Sequence, residues 1–156
     1  MPRIHLPVRY LPNYDLKAWG PLGYAYDTDA GFDLRFAPVD GNELRMRPWD
    51  AKTVALGVAF DIPEGFELQI RGRSGMAFKR GVMLPHAPGT IDAGFQGELK
   101  TILLAVKNAV VIQPGERVCQ AVLAPVSRAA FYDVGDHPFA SESARGEAGF
   151  GSSGQS

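Results

Sequence analysis

At 156 residues the chain is long enough to bury the core of one domain. Its 46% hydrophobic and 21% charged residues are those of a globular protein, and a formal net charge of −1 lacks the basic surplus of a general nucleic-acid binder. No apolar run reaches the length of a membrane span, the N-terminal MPRIHLPVRY has no signal-peptide layout, and the single Cys119 permits no internal disulfide and suits a reducing cytoplasm. The three histidines, His5, His86 and His137, are too widely spaced for a zinc site.

Taken in chain order, residues 13–31 read as irregular. A strand follows in TVALGVAF, where Val54, Leu56, Val58 and Phe60 share one face. FELQI alternates Phe66, Leu68 and Ile70 against Glu67 and Gln69, after the turn signal Pro63-Glu64-Gly65. SGMAFKR, residues 74–80, is the one segment that reads as helix, with Ser74 as its cap. LKTILLAV, 99–106, is apolar on both faces, as a doubly buried strand is, and hints at an oligomer. After Pro114-Gly115, VCQAVLAPV sets Val118, Val122 and Val126 along one face. From about 135 the chain reads as a flexible arm. Short strands at this spacing predict one all-β domain over 1–156, a sandwich or barrel-like fold with one short helix.

Five segments carry polar residues that packing does not require. In DAGFDL (29–34), Asp33 interrupts an apolar strand start; it reads either as an edge or turn aspartate or as an outer-sphere ligand of hydrated Mg²⁺. In RGRSGMAFKRG (71–81), Arg71, Arg73, Lys79 and Arg80 surround a helix start at Ser74, Gly75 and Met76, either a solvated basic face or an anion site. In PGTIDAGFQGE (88–98), Asp92 is either an Asx-turn residue of a hairpin or a general base holding a water. In ERVCQAVL (116–123), Gln120 is either a satisfied core amide or a ligand contact. The terminal RGEAGFGSSGQS reads as a glycine-serine tail, but Arg145 and Phe150 have no place in an inert linker. Its G-x-G-x-x-G has no preceding strand and no following helix, so it is not a dinucleotide fingerprint.

In this order, AGFDL, RSGMA, GTIDAGFQGE, RVCQAVL and RGEAGFGSSG resemble the five motifs of the homotrimeric dUTPase family, over residues 29–154. The resemblance implies a β-clip, jelly-roll-like fold, a homotrimer with active sites between subunits, and hydrolysis of dUTP to dUMP and pyrophosphate with Mg²⁺. Carried over motif by motif, it makes Asp92 the base that activates water and Asp33 the holder of metal-bound water. Arg73, Ser74, Gly75 and Gln120 would bind phosphate. The hairpin at His86, Gly89, Thr90 and Ile91 would read uracil, and Phe95 would pack on the deoxyribose. The arm would close as a lid, with Arg145 on the γ-phosphate, Phe150 over the uracil, and Gly151, Ser152 and Ser153 on phosphate.

This chain departs from the family pattern at Phe95 (tyrosine there), Gly72 (proline), Ser153 (threonine) and His86 (asparagine). dCTP deaminases share the fold, but their catalytic glutamate is replaced by Ile102 here. A non-catalytic nucleotide sensor would need no Asp92, and a structural jelly roll would need none of these polar residues.

Overall fold

The computed structural model describes residues 4–141, 143 and 146. The strands are β1 (Val8–Tyr10), β2 (Phe32–Arg35), β3 (Leu44–Met46), β4 (Ala51–Ala55), β5 (Val58–Phe60), β6 (Phe66–Gly72), β7 (Val82–Met83), β8 (Gly89–Asp92), β9 (Lys100–Ala105), β10 (Val110–Ile112) and β11 (Arg117–Pro125). They pair antiparallel in four small sheets, β1-β5, β3-β10, β4-β9-β7 and β2-β11-β6-β8, around one apolar cluster. Leu34, Leu56, Leu68, Leu99, Leu103, Ile112 and Val118 are wholly buried there. The fold is mostly β, as expected. No helix among the described residues is long and apolar enough to cross a membrane.

Three local features differ from the expectation. TVALGVAF is two strands, because Gly57 sits at φ +68° and ends the first one. A β-carbon there would lie 2.8 Å from Ala37 Cβ, so only glycine fits. The two pieces then join different sheets while all their inward residues stay buried. In β11 the pairing with β2 shifts between Arg117 and Cys119, a bulge at Val118. Val118 and Cys119 are both buried, and beyond the bulge Ala121 continues the core face. Val122 therefore lies on the opposite face with Gln120, and the expected face of Val118, Val122 and Val126 does not form; Val126 is exposed.

The third difference is helical. Leu16–Trp19, expected to be irregular, forms one turn (α1), capped by Asp15 Oδ1 on the Ala18 N–H at 2.9 Å. It holds Trp19 edge-on to Tyr14, with ring centroids 5.1 Å apart. The expected helix at 74–80 is present, but Met76–Arg80 is π-helical and has no side-chain cap. Ser74 is already helical, so its hydroxyl cannot serve as an N-cap. The turn buries Met76 and ends at Gly81 in the left-handed region, φ +63°.

β9 has the two-sided apolar character read from LKTILLAV. Thr101, Leu103 and Ala105 face the core, while Ile102 and Leu104 are half-buried on the other side. Met83, opposite Leu104, is exposed. The single chain thus leaves an apolar sheet face in solvent.

Gly115 combines both constraints that favour glycine. Its φ is +84°, and a β-carbon would lie 2.7 Å from Trp19 Cε2. Gly115→Ala is expected to destabilise the fold by about 2–3 kcal/mol. Chemical denaturation of the two proteins checks this; equal midpoints would mean that α1 moves aside freely.

Candidate active site

The polar groups collect on one face of the four-stranded sheet, because side chains alternate along a strand and directly paired residues share a face. Phe32, Leu34, Cys119, Ala121, Leu68 and Ile70 point into the core. On the other face Asp33, Gln120 and Arg71 form one row. Val122, Gln69 and Thr90 form the next, and Ala124, Glu67 and Asp92 the one after.

At the β2 edge the Asp33 carboxylate is clamped by two arginines. Arg73 binds it bidentately, Nε to Oδ1 at 2.7 Å and a terminal nitrogen to Oδ2 at 3.3 Å. Arg117 reaches Oδ2 at 3.2 Å, and Arg73 also donates to the Arg117 carbonyl at 2.9 Å. Gln120 donates from Nε2 to the Gly72 carbonyl at 2.9 Å, which turns its Oε1 toward Gly31. Asp33, Arg117, Gln120 and Gly31 border a cleft of about 550 Å³ lined also by Arg35, Arg71, Asp29 and Tyr24. Arg73 and Arg117 line an adjoining groove with Gly75, Lys79 and Arg80. Gly75 has no atom within 4 Å of where a β-carbon would stand, so the backbone there is open to a ligand. Such a concentration of guanidinium groups suits a polyanion.

The Asp33 side chain, though held by two arginines, keeps 28% of its surface exposed beside the cleft, so a carboxylate oxygen can still accept from a water. A hydrated Mg²⁺ carried by phosphates needs only a carboxylate for one of its waters. No group of three or more His, Cys, Asp or Glu side chains that could cage a metal occurs among the described residues. Cys119 lies behind this clamp on the core face; burial pushes its thiol up, with the Asp33 charge adding to the effect and Arg73 opposing it. It is no nucleophile.

The β8 edge carries the other group of residues. Asp92 is exposed at the end of the strand, with Thr90 exposed and Ile91 half-buried against the core. The Phe95 N–H donates to the Asp92 carbonyl at 3.0 Å, closing the turn, and the Phe95 ring folds over Gly97. The His86 ring packs on the Gly89 backbone, its Nε2 3.1 Å from where a β-carbon would be. The expected hairpin is absent among the described residues: β7 pairs with β9 and β8 with β6, so 84–88 link two sheets.

Asp33, Arg73 and Gln120, with Ser74 and Gly75 next to Arg73 in the chain, therefore form one group, and His86, Gly89, Thr90, Ile91, Asp92 and Phe95 belong to a second group in and around β8. Three strand spacings and four residues separate Asp33 from Asp92, about 20 Å in one chain. Arg145, Phe150, Gly151, Ser152 and Ser153 lie outside the described residues. Sequence reasoning gave no role to Arg35, Arg117 or Glu67. The bulge hides the facing of Arg117, and Glu67 was legible only as one of the alternating polar residues of β6.

A mostly β fold with an arginine-rich cleft and a solvent-facing carboxylate on the same sheet is the equipment of a phosphate-anhydride hydrolase. The dUTPase family model matches residues 19–154. Deoxyuridine 5'-triphosphate nucleotidohydrolase of Rhizobium etli (strain CIAT 652) is 46% identical over 134 residues, 83% of each chain. The dUTPase of Staphylococcus bacteriophage 80alpha, solved with dUPNHPP, superimposes with a TM-score of 0.82 at 27% identity, over 97% of this chain and 99% of that one. A variant dUTPase from phage phi11 of S. aureus, whose structure details the coordination of a structural Mg(II) ion, superimposes with a TM-score of 0.73 at 22% identity, over 87% and 100% of the two chains. The chain belongs to the dUTPase family and is a dUTP diphosphatase.

A β-carbon on Gly31 would lie 2.8 Å from Gln120 Oε1 and 3.2 Å from the Ala121 carbonyl. Gly31→Ala is expected to leave the fold within about 1 kcal/mol of the parent while turning Gln120 aside. The value of kcat/KM for dUTP should fall by about tenfold, on the scale of a misplaced binding group. Steady-state kinetics beside a melting curve checks it; unchanged kinetics would remove Gln120 from the site.

Proposed function

We propose that the chain cleaves dUTP to dUMP and pyrophosphate by in-line attack of water on the α-phosphorus, at sites shared between the subunits of a homotrimer. The observation that carries this reading is the distance of about 20 Å between the Asp33 and Asp92 edges, estimated from strand spacing and rise. One reacting phosphate cannot meet both within a single chain, so the cleft of one subunit must face the β8 edge of another. The uncovered apolar face of Ile102, Leu104 and Met83 supports assembly. So do Phe131 and Tyr132, 96% and 85% exposed on the segment after β11.

In this mechanism Asp92 orients a water and accepts its proton as the oxygen attacks. Arg73 with the backbone at Ser74 and Gly75 neutralises the charge on the phosphates, and Gln120 adds a hydrogen bond. Mg²⁺, when bound to the triphosphate, would supply further charge neutralisation, with Asp33 holding one of its waters. The main chain around His86, Gly89, Thr90 and Ile91 reads the uracil edge, and its tight turn excludes the thymine methyl. Phe95 packs on the deoxyribose and leaves no room for a 2′-hydroxyl. Residues 1–156 form one domain whose arm, 135–156, closes the site: Arg145 forks onto the γ-phosphate, Phe150 covers the base, and Gly151, Ser152 and Ser153 touch phosphate. Such an enzyme, in the cytoplasm, withdraws dUTP from the pool available to DNA synthesis and supplies dUMP for thymidylate synthesis.

With Mg²⁺ present, pyrophosphate release is expected from dUTP and not from dTTP, dCTP or UTP, measured side by side. Equal release from UTP would reject the role of Phe95. In the same assay Asp92→Asn should retain dUTP binding and lose at least about a hundredfold in turnover. A variant with near-parental turnover would overturn the base assignment.

A further inference from the structure

We propose that Glu67 is a positioning residue for the dUTPase reaction, a fixed second carboxylate that acts through Asp92; the inference rests on Asp92 being the base. Glu67 pairs directly with Asp92 across β6 and β8, so the two carboxylates leave the sheet on the same face. The β-carbons of such a pair stand roughly 5 Å apart, and like charges set opposite one another repel.

Glu67 is not free to swing away from this arrangement. Its Oε1 accepts from Gln69 Nε2 at 2.7 Å. Gln69 Oε1 in turn accepts from two nitrogens of Arg71. Arginine can only donate, so the oxygen of the Gln69 amide must face Arg71 and its nitrogen must face Glu67. Three side chains at alternate positions of β6 thus form a directed chain that begins at the arginine-rich cleft and ends opposite the base. Gln69 and Glu67 are half-buried, whereas Asp92 is exposed. Of the other neighbours of Asp92, β11 contributes only Ala124 to that row. In the turn after β8, Gln96 bonds Asp61.

The chemical consequence follows from charge. Before reaction two carboxylates face each other; when Asp92 takes the proton of the attacking water, one of them becomes neutral and the repulsion is relieved. Glu67 exchanges no proton. Its charge favours the transition state over the ground state, which raises kcat and leaves substrate binding largely unchanged.

Two substitutions separate this role from packing. Glu67→Gln keeps the shape and loses the charge, whereas Glu67→Asp keeps the charge and loses a methylene. In the complete enzyme with Mg²⁺ and dUTP, Glu67→Gln is expected to lower kcat by about tenfold with KM within about twofold. Glu67→Asp should restore most of the loss. Parental kcat in Glu67→Gln, or equal losses in both variants, would overturn the proposal provided Asp92→Asn is inactive. Normal turnover in Asp92→Asn would instead overturn the reading of the base, and this inference with it.

Discussion

β11 is hydrogen-bonded along both edges, to β2 and to β6, and the row of Asp33, Gln120 and Arg71 takes its position from those two registers. The bulge at Val118 sets their phase. Upstream of it Arg117 pairs with Arg35; downstream, Gln120 stands between Asp33 and Arg71. Without the extra residue the strand beyond it would turn over, because a slip of one residue exchanges the two faces. Gln120 would then enter the core and Cys119 and Ala121 would face the cleft. The bulge thus serves both the apolar core and the site.

The Asp33 clamp has a different weight. Its side chains are partly solvated, 26% exposed for Arg73 and 28% for Asp33. A pair in such a setting adds little to global stability. Its effect is geometric: one carboxylate holds two guanidinium groups from separate parts of the chain at fixed positions. Rigid, pre-oriented charge is what phosphoryl transfer requires of a protein, since most of its catalysis is positioning and charge stabilisation.

The polar face is divided into two groups: arginines gather around Asp33 on β2, β11 and the end of β6, while Asp92 stands on the β8 edge, about 20 Å away by strand spacing and rise. The Arg71, Gln69 and Glu67 side chains run along β6 between the two groups. The same strand that supports the cleft therefore also shapes the surroundings of Asp92. Family membership establishes dUTP as substrate, and the charge and register of this face supply a physical account of how the chain can act on it.

By itself the sequence determined what depends on local order. Alternation in FELQI predicted the inward Leu68 and Ile70 of β6, and the run at 99–106 predicted a strand apolar on both faces, although in the single chain Ile102 and Leu104 are only half-buried. The residue types at Asp33, Arg73, Gln120 and Asp92 marked them as candidates for chemistry, because acids, arginines and amides placed among apolar strand residues have little use in a core. Tertiary structure alone decided the rest. The break at Gly57 needs Ala37 and Tyr14 beside it, and the α1 turn is held by Trp19 packed on Gly115. The bulge at Val118 appears only through pairing with β2, and the expected hairpin becomes a link between sheets because β7 and β8 find different partners. These outcomes rest on contacts between residues distant in the chain, which a local pattern of alternation does not encode.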